Sequence, residues 1–388
     1  MLSPKAVLKS VPRTNFDGLL MFSCFGLLIL GFLMVVSASL HLGVKMANDI
    51  SHYPFKQLLH IILGLFFAAG ILKVPMSSWQ RSGQMLFIVG LLLLFIVLIP
   101  GVGIRVNGSI RWLSIFGLRV QVSEVMKMIS IIYMAGYITR HVENVRNSSI
   151  GLARPLVLLL VASMLLLVEP DFGSAVVIII IAMGMMFLGG ARLSQFVVLL
   201  SLLAVAAIIL VKTSPYRLAR VMSFSDPWAD AKNTGFQLTQ ALISFGRGEF
   251  FGVGLGNGIQ KLFYLPEAHT DFLFSVLGEE LGLLGVVSVI ALFTTLIYRA
   301  FMIGAEAEKR EQHFSALVAY GLGIWFGFQS FVNMGVNMGM LPTKGLTLPL
   351  MSYGGGSMIV MCGAMALLFR IQYELNNGSS RPVTGEKP

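Results

Sequence analysis

The stretch DFLFSVLGEELGLLGVVSVIALFTTLIYR, residues 271–299, is long and apolar enough to cross a lipid bilayer as a helix. It nevertheless carries Asp271 at its start and Glu279 and Glu280 about two turns further in. A carboxylate at the centre of a bilayer costs roughly 2.5–3.5 kcal/mol, so these acidic residues need a position or a function that offsets this cost. Where Asp271 lies relative to the membrane surface is therefore the central question that the sequence raises.

The composition identifies the broad class of protein. Hydrophobic residues make up 56% of the chain and charged residues only 12%, which excludes an ordinary soluble domain. Cys24 and Cys362 both lie inside apolar runs, so they indicate neither a disulfide framework nor a metal site. Apolar runs predict about ten transmembrane helices, near 19–40, 55–72, 84–100, 123–139, 155–168, 173–190, 195–211, 271–299, 314–336 and 354–372. We therefore expect an all-α polytopic membrane protein.

The positive charges predict the orientation of these helices. The net charge of +10 comes from cations scattered through short loops without a basic block, which indicates positive-inside topology rather than nucleic-acid binding. With the N-terminus in the cytoplasm, most Lys and Arg residues fall on the cytoplasmic side: Lys5, Lys9, Arg13, Lys73, Arg81, Arg140, Arg146, Arg154, Arg192, Arg299, Lys309, Arg310, Arg370, Arg381 and Lys387. Fewer fall in the short outer loops: Lys45, Lys56, Arg105, Arg111, Arg119 and Lys344.

This orientation predicts the organisation of the chain. Residues 1–18 form a cytoplasmic N-terminal segment, and residues 19–372 form a single ten-helix membrane domain. A large extracytoplasmic loop, at about 212–270, separates the seventh and eighth helices. Residues 373–388 form a disordered cytoplasmic tail, so both termini are cytoplasmic.

Most polar residues within or beside the apolar runs then lie at the outer ends of the helices. Glu124 and Lys127 open the fourth run, Asp171 precedes the sixth, and Asn333 and Asn337 share one helical face at the end of the ninth. A transporter would carry polar residues near the midplane or along a path to both faces. The pattern instead indicates a site that is open to the extracytoplasmic side.

Each of these features also has a purely structural interpretation. Asp271, with Thr270 as the N-cap residue, could simply interact with the helix dipole in the first turn. Glu124 and Lys127 could neutralise one another at i and i+3. The motif GVGLGNG, 252–258, lacks the ending of a phosphate loop and fits a turn-rich loop, and YGGGS, 353–357, could be a flexible lead into the last helix. The six histidines show no metal-ligand spacing.

Four longer stretches together are more specific than any single residue. They are RWLSIFGLRVQVSEVMK (111–127), EPDFGSA (169–175), DPWADAKNTGFQLTQALISFGRGEFFGVGLGNGIQKLFYLPEAHTDFLFSVLGEELGLLG (226–285) and VNMGVNMGMLPTKGLTLPLMSYGGGS (332–357). In this order they resemble the signature regions of the SEDS (shape, elongation, division and sporulation) family, over residues of about 17 to 373. Ala268, where the elongation branch usually has arginine, is typical of the division branch. Val122 stands where the family usually has proline.

The resemblance implies a peptidoglycan glycosyltransferase that polymerises lipid II at the outer face of the bacterial inner membrane, at the division septum. It also implies an inverting reaction, with Asp271 as the general base. Cations or a divalent metal such as Mg²⁺ or Mn²⁺ would stabilise the pyrophosphate leaving group, and no organic cofactor is expected. Substrate-binding or site-supporting roles are expected for Glu124, Lys127, Arg111, Asp171, His269, Lys261, Lys344, Asn337 and Ser352.

The resemblance also implies partners. They are lipid II and the glycan linked to undecaprenyl pyrophosphate, a class B penicillin-binding protein that cross-links the glycan, other divisome proteins and membrane lipids. Two other functions remain open: a flippase for lipid II, and a non-catalytic divisome scaffold. Glu279 and Glu280, deeper along their helix, are expected to form a buried polar network.

Overall fold

The structure, a computed structural model, describes residues 16–106, 109–115, 117–214, 218, 222–231, 233, 235–343 and 345–378. Among the described residues, long helices occupy the positions of all ten apolar runs, and shorter helices lie between them. In chain order the helices are α1 Gly18–Ala47, α2 His52–Lys73, α3 Met76–Val97, α4 Val122–Arg140, α5 Val142–Asn147, α6 Ser149–Val168, α7 Phe172–Leu188, α8 Leu193–Lys212, α9 Phe236–Gly248, α10 Leu273–Lys309, α11 His313–Asn337 and α12 Gly356–Asn377. The predicted segment before residue 16 and the tail beyond residue 378 lie outside the described residues.

Seven of the described helices, α1, α2, α3, α6, α10, α11 and α12, are long and apolar enough to cross a membrane. Helix α7 and the part of α8 at Leu193–Val205 are apolar but shorter than these seven helices. Helix α4 differs because it carries Glu124 and Lys127, and almost all of its side chains are buried against α3, α7 and α11. A helix that is buried on all sides forms the centre of the bundle. The prediction of an all-α polytopic membrane protein is confirmed in this architecture.

A small antiparallel sheet between α3 and α4 is absent from the sequence prediction. Its strands are β1 Ile104–Val106, β2 Ser109–Ile115 and β3 Leu118–Gln121, paired in the order β1-β2-β3. Strand β3 leads directly into α4, with Gln121 as the N-cap residue and Val122 as the first helical residue. Proline is favoured at this first position because its missing N–H is not needed there, and valine satisfies the same geometry. The sheet was missed because strands this short leave no apolar run.

Contacts between loops and helix ends define two opposite sides of the bundle. On the side that carries the sheet, Arg111 donates to the backbone oxygen of Glu169, and Tyr353 donates its N–H to the oxygen of His269. On the other side, Asp17 pairs with Arg299, Arg370 donates to the oxygen of Leu72, and the N–H of Met76 donates to Glu374. Glu374 belongs to α12, which continues to Asn377, so the predicted tail begins later than residue 373. We call the side that carries the sheet the outer side, in line with the predicted orientation.

Helix α10 is broken at Gly282, which has φ 62° and ψ −159°. This conformation is essentially restricted to glycine, and a methyl group here would lie 2.4 Å from the backbone nitrogen of Gly252. The break separates backbone groups that would pair with each other in a continuous helix. Residues 249–254 pair with them instead, through hydrogen bonds from Leu283 to Glu249 (2.9 Å), Leu284 to Phe250 (3.2 Å), Val253 to Glu279 (3.0 Å) and Gly254 to Glu280 (3.1 Å).

Residues 249–254, which we call the inserted segment, lie at the break in α10. They belong to the stretch that was predicted as one large loop at 212–270. Within it, helix α9 packs along α10, and the following residues 249–254 complete the backbone hydrogen bonding of α10. Phe250 and Phe251, the latter 81% exposed, lie on the outside next to the exposed Leu283 and Leu284 of α10. The segment after α9 is therefore part of the helical bundle, and its aromatic side chains continue the apolar surface of α10.

We expect Gly282→Ala to destabilise the protein by about 1–3 kcal/mol, because alanine is strained at this φ and ψ and its methyl group meets the inserted backbone. The control is Gly70→Ala on α2, where a methyl group has no neighbour within 4 Å and alanine favours the helix. The thermal midpoint of each purified variant in detergent, followed by tryptophan fluorescence, gives the comparison. Equal midpoints for Gly282→Ala and the wild type would contradict the break at Gly282 and the close packing of residues 249–254 against it.

Candidate active site

Asp271 lies on the outer side of the bundle, two residues before α10. The helix begins at Leu273 with Phe272 as its N-cap residue, so Thr270 is not the cap and the predicted start at 271 was two residues early. The backbone oxygen of Asp271 accepts hydrogen bonds from the side-chain amides of Asn333 and Asn337, each at 2.9 Å. The Asp271 side chain is half-buried. Its backbone is thus fixed from α11 while its carboxylate lies at the margin of the bundle.

The two asparagines form a clamp that joins three segments. Besides its bond to Asp271, Asn333 donates to the backbone oxygen of Leu346 at 2.6 Å. The side-chain oxygen of Asn337 accepts from the N–H of Ser275 at 3.1 Å and from its hydroxyl at 2.7 Å. Both asparagines are buried. Asn337 was predicted as a site residue and Asn333 was not, yet both bind the backbone oxygen of Asp271 in the same way.

The loop between α11 and α12 passes beside the Asp271 carboxylate. A methyl group on Gly345 would lie 3.0 Å from Oδ2 of Asp271, closer than side chains ordinarily pack. Glycine at this position therefore leaves space beside the carboxylate. Lys344, the preceding residue, lies outside the described residues, and its role stays a prediction.

Glu124 and Lys127 form a buried ion pair on α4, as their spacing predicted. Nζ of Lys127 lies 2.7 Å from Oε1 of Glu124 and donates to Oε1 of Gln329 at 2.9 Å. Gln329 in turn donates to the backbone oxygen of Thr347 at 2.9 Å. The ion pair therefore reaches the loop beside Asp271 through Gln329, which the sequence analysis did not identify. The other oxygen of Glu124, Oε2, is buried without a hydrogen-bond partner.

Asp171 is buried at the start of α7. Its Oδ1 accepts from the N–H of Ser174 at 3.2 Å and caps the helix, while Oδ2 accepts from the side chain of Gln121 at 3.2 Å. A methyl group on Gly173 would lie 3.1 Å from the side chain of Leu346, so the first turn of α7 packs directly beneath the loop. Asp171 thus joins the start of α7 to the end of the sheet and the start of α4.

The buried carboxyl group of Glu169 lies on the outer side, where Arg111 bonds to the Glu169 backbone and not to its side chain. Arg111, on β2, donates to the backbone oxygens of Glu169, at 3.2 Å, and of Pro170. The side chain of Glu169 is 1% exposed, and neither of its carboxylate oxygens has a hydrogen-bond partner. Burial, reinforced by the charge of Asp171 and opposed by Arg111, raises the pKa of Glu169 to about 8. Glu169 is therefore protonated at neutral pH.

His269 belongs to an aromatic group with Tyr53 and Tyr353. Its ring centroid lies 5.3 Å from that of Tyr53 and 5.4 Å from that of Tyr353. The N–H of Tyr353 donates to the backbone oxygen of His269 at 3.0 Å, and Ser352 Oγ accepts from the N–H of Leu348 at 2.9 Å. These bonds attach the loop before α12 to the segment that carries Asp271. Burial lowers the pKa of His269, so the ring is neutral at pH 7.

Lys261 belongs to a second polar network, at the break in α10. Its Nζ lies 2.5 Å from Oε1 of Glu280 and donates to the hydroxyl of Ser37 at 2.8 Å. Glu279 accepts from Arg247 at 2.9 Å and from the backbone N–H of Ile259 at 2.9 Å. The predicted polar network of Glu279 and Glu280 is confirmed. The contacts of Lys261 join residues 256–261 to α10 and α1.

The carboxylates of the described residues do not assemble a metal site. No group of three or more His, Cys, Asp or Glu side chains able to hold a metal ion occurs in the part of the chain that the structure describes. Asp171 is already committed to capping α7, and Glu124 to its ion pair. The described donor set therefore does not fit a metal held by the protein alone.

The arrangement can present a carboxylate to a hydroxyl group at the outer surface. The backbone of Asp271 is immobilised by two buried amides, and the carboxylate lies beside Gly345, which has no side chain to displace it. A positioned carboxylate of this kind can accept a proton from a reacting hydroxyl within hydrogen-bond reach. The buried ion pair and the capping aspartate make the surrounding elements rigid, which keeps the carboxylate in one position.

Comparisons with known proteins agree with this architecture. A family model for FtsW, RodA and SpoVE, described as cell cycle protein, matches residues 18–377. The chain is 70% identical over 374 residues to the probable peptidoglycan glycosyltransferase FtsW of Methylomonas methanica, which covers 96% of each chain. It is 60% identical over 362 residues to the protein of the same description from Methylococcus capsulatus, with 93% of this chain and 91% of the relative covered.

Solved structures show the same fold. A chain from a study of the structural coordination of polymerization and crosslinking by a peptidoglycan synthase complex is 28% identical, with a TM-score of 0.76 over 93% of this chain and 98% of that chain. The rod shape determining protein RodA of Thermus thermophilus is 26% identical, with a TM-score of 0.68 over 93% of this chain and 97% of that chain.

We expect Glu169→Gln to stabilise the protein increasingly as the pH rises from 5 to 8. Over the interval between the ordinary pKa of 4.5 and about 8, the folded chain keeps the Glu169 proton and the unfolded chain releases it. The free energy of unfolding of the wild type therefore falls with rising pH, by at most about 1.4 kcal/mol per pH unit, and glutamine removes this loss. Thermal midpoints across this pH range give the test.

The control for this prediction is Glu143→Gln, which makes the same change at an exposed glutamate. Its difference from the wild type should stay nearly constant between pH 5 and 8. A constant difference for Glu169→Gln as well would show that the buried carboxyl keeps its ordinary pKa.

Proposed function

This chain belongs to the FtsW, RodA and SpoVE family of cell cycle proteins, the SEDS family, and from this membership we propose that it is a peptidoglycan glycosyltransferase that polymerises lipid II with Asp271 as general base. The similarity to proteins described as peptidoglycan glycosyltransferase FtsW, up to 70% identity, supports the activity. The observation that carries the role of Asp271 is its fixed backbone, which holds the carboxylate beside Gly345 on the outer side of the bundle.

The chemistry requires a base at this place. The 4-hydroxyl of the acceptor GlcNAc attacks C1 of the donor MurNAc, so that a new C1–O4 bond forms while the bond from C1 to the pyrophosphate oxygen breaks. The bonding electrons leave with undecaprenyl pyrophosphate, C1 inverts, and the hydroxyl proton passes to the Asp271 carboxylate. Such a transfer needs the base about 2.6–3.2 Å from the hydroxyl oxygen. A position at the outer margin reaches the sugar while the lipid tail stays in the bilayer.

The other site residues position this base. Asn333 and Asn337 hold the Asp271 backbone, and the ion pair of Lys127 and Glu124 steadies the adjoining loop through Gln329. A divalent cation such as Mg²⁺ or Mn²⁺, brought by the pyrophosphate, would neutralise the charge of the leaving group. Because the described donor set does not fit a metal held by the protein alone, we assign no step to such an ion.

The partners and location follow from the same proposal. A class B penicillin-binding protein would cross-link the glycan that this chain polymerises, and other divisome proteins would set its activity at the septum of the bacterial inner membrane. The structural similarity to a chain from a peptidoglycan synthase complex supports a partner of this kind.

We expect Asp271→Asn to reduce lipid II polymerisation by about 10²–10⁴-fold, because asparagine cannot accept the hydroxyl proton and keeps nearly the same shape. The measurement is the glycan ladder made from lipid II by the purified protein with its cognate penicillin-binding partner. The control is Asp49→Asn, which makes the same change in the exposed turn between α1 and α2. Equal ladders from Asp271→Asn and the wild type would remove Asp271 from the role of base.

The same assay distinguishes the other functions. A wild type that makes no ladder but transfers lipid II between the leaflets of a vesicle would be a flippase. A wild type that does neither, yet binds its partner, would be a scaffold. Either result would contradict the proposed polymerase.

We further expect Gly345→Ala to lower kcat about tenfold while the thermal midpoint stays near that of the wild type. The added methyl group must displace the Asp271 carboxylate by a few tenths of an ångström, and small misplacements of catalytic groups are costly. Gly246→Ala on α9, where a methyl group meets nothing within 4 Å, is the control. Unchanged kcat in Gly345→Ala would show that the carboxylate does not need this space.

A further inference from the structure

A cavity of about 160 Å³ lies between α1, α2 and α12. Every side chain that lines it is apolar or a thiol. Apolar cavities of about this size stay free of water and accept apolar guests, because a buried water molecule needs about two to four polar partners. The lining therefore selects a hydrocarbon group. Its walls include Cys24 and Leu28 of α1, Leu65 and Ala69 of α2, and Cys362 and Phe369 of α12.

The cavity opens towards the apolar outside of the bundle. Towards the outer side it is closed where α2 touches α12, because a methyl group on Gly64 would lie 2.9 Å from Sγ of Cys362. Phe25 of α1 and Leu65 of α2 also line the cavity, and they are 44% and 43% exposed. A guest therefore enters sideways, from the surface between α1 and α2.

The cavity lies in the half of the bundle opposite the sheet. Its lining residue Leu72 is the last but one residue of α2, and Leu65 is seven residues earlier, or about 10 Å along the helix. Arg370 of α12 donates to the backbone oxygen of Leu72 at 2.9 Å and closes this end. One leaflet contributes about 15 Å of hydrocarbon. In the predicted orientation the cavity therefore faces the acyl chains of the inner leaflet.

Positive charge lies at the inner end of the cavity. Lys73 is the last residue of α2 and follows the lining residue Ala69 at i+4, so both share one helical face. The Lys73 side chain is exposed, and none of the ion pairs among the described residues includes it. Arg370, in contrast, is paired with Glu374. Lys73 thus supplies a cation that an anionic head group can approach.

The start of α1 adds basic residues next to this end. Phe16 packs edge-on against the lining residue Phe369, with 5.8 Å between the ring centroids, and the N–H of Asp17 donates to Gln372 at 3.1 Å. The charged side chains of the fifteen residues before Phe16 are all basic: Lys5, Lys9 and Arg13. Basic residues that adjoin a cytoplasmic membrane surface attract anionic lipid head groups.

We propose that this cavity binds one acyl chain of an anionic glycerophospholipid of the inner leaflet, with the head group at Lys73. The chain fills the space between Leu28, Ala69 and Cys362, and the phosphate accepts a hydrogen bond from Nζ of Lys73. The site lies on the side of the bundle opposite Asp271, and it does not depend on the proposed glycosyltransferase reaction.

The size and position of the cavity favour this guest over two others. A helix of a partner protein is about 10 Å across with its side chains, which is too wide for the space between α1 and α2. The polyprenyl-linked donor of the proposed reaction carries its pyrophosphate on the outer side, at the end where Gly64 and Cys362 close the cavity. A phospholipid of the inner leaflet has its head group at the end where Lys73 lies.

A bound chain would also strengthen the attachment of α1. On its other face α1 packs on α10, where a methyl group on Gly26 would lie 3.3 Å from the side chain of Leu292. Further along α1, Ser37 donates to Oε1 of Glu280 at 2.8 Å. A guest between α1 and α2 adds contacts on the side where the cavity separates them. Lipid binding should therefore raise the thermal midpoint of the protein.

Native mass spectrometry of the full-length protein in detergent tests this inference. Titration with dioleoyl phosphatidylglycerol measures the Kd of the first bound lipid. Dioleoyl phosphatidylcholine, which has the same chains and a zwitterionic head group, and undecaprenyl phosphate are titrated in parallel. Alkylation of Cys24 and Cys362 by N-ethylmaleimide reports where the lipid lies, because these two cysteines of the chain both line the cavity.

Two variants address the head group and the acyl chain separately. Lys73→Gln removes the charge at the inner end, and Ala69→Leu fills part of the cavity. The control for the first is Lys309→Gln, at an exposed lysine that ends α10. The control for the second is Ala291→Leu, on the exposed face of α10.

We expect the wild type to bind phosphatidylglycerol about fivefold more tightly than phosphatidylcholine, because the charge of Lys73 favours the anionic head group. Lys73→Gln should remove this preference. Ala69→Leu should raise Kd for both phospholipids about tenfold, since it excludes about two methylene groups of the chain. Both controls should match the wild type. Phosphatidylglycerol should slow the alkylation of both thiols in the wild type and leave it unchanged in Ala69→Leu.

Several results would overturn the inference. Equal Kd values for the two phospholipids, or an unchanged preference in Lys73→Gln, would exclude the anionic head group at Lys73. Alkylation that does not respond to phosphatidylglycerol, or unfolding of Ala69→Leu, would exclude a chain in the cavity. Tighter binding of undecaprenyl phosphate with the same protection of the thiols would replace the phospholipid by a polyprenyl lipid. Because no measurement uses glycan synthesis, a protein without polymerase activity would leave this site in place.

Discussion

A peptide group cannot find a hydrogen-bond partner in the hydrocarbon of a bilayer, and this constraint governs the structure around α10. The helix is interrupted at Gly282, and residues 249–254 pair with the carbonyl and N–H groups that the break would leave open. Glu279 and Glu280 add side-chain bonds that hold the inserted segment in place. The outer part of α10 can therefore depart from a continuous helix, and the segment that carries Asp271 is connected to a rigid support.

The same requirement explains the buried polar groups nearer the site. Lys127 lies in the centre of the bundle and is tolerated because Glu124 and Gln329 satisfy its ammonium group. Asn333 and Asn337 satisfy the backbone where the chain turns from the segment before Asp271 into α10. These contacts all converge on the loop between α11 and α12. In the proposed function, this arrangement would hold Asp271, as the base, at the outer side of the bundle and leave the sugars outside the bilayer.

The sequence predicts the helices well because each one needs a long apolar run, and the ten runs correspond to ten helices. It does not predict the sheet of residues 104–121, whose strands are too short to show a pattern. Asp271, Asn337 and the pair of Glu124 and Lys127 are predicted as site residues, and all of them are polar residues at outer helix ends. Gln329 was missed because it meets Lys127 only through packing between two helices. The burial that makes Glu169 unusual also depends on the folded structure. The contacts of Lys261 with Glu280 and Ser37 were not predicted, because the break in α10 cannot be read from the sequence.

The most direct test of this account is a structure of the inactive Asp271→Asn protein with two lipid II molecules bound. The account predicts that the 4-hydroxyl of the acceptor sugar lies within hydrogen-bond distance, about 2.6–3.2 Å, of the side chain at position 271. It also predicts that the donor C1 faces that hydroxyl on the outer side of the bundle. An acceptor hydroxyl placed at Glu169 or Glu124 instead, with position 271 turned away from both sugars, would contradict the assignment of Asp271 as the base.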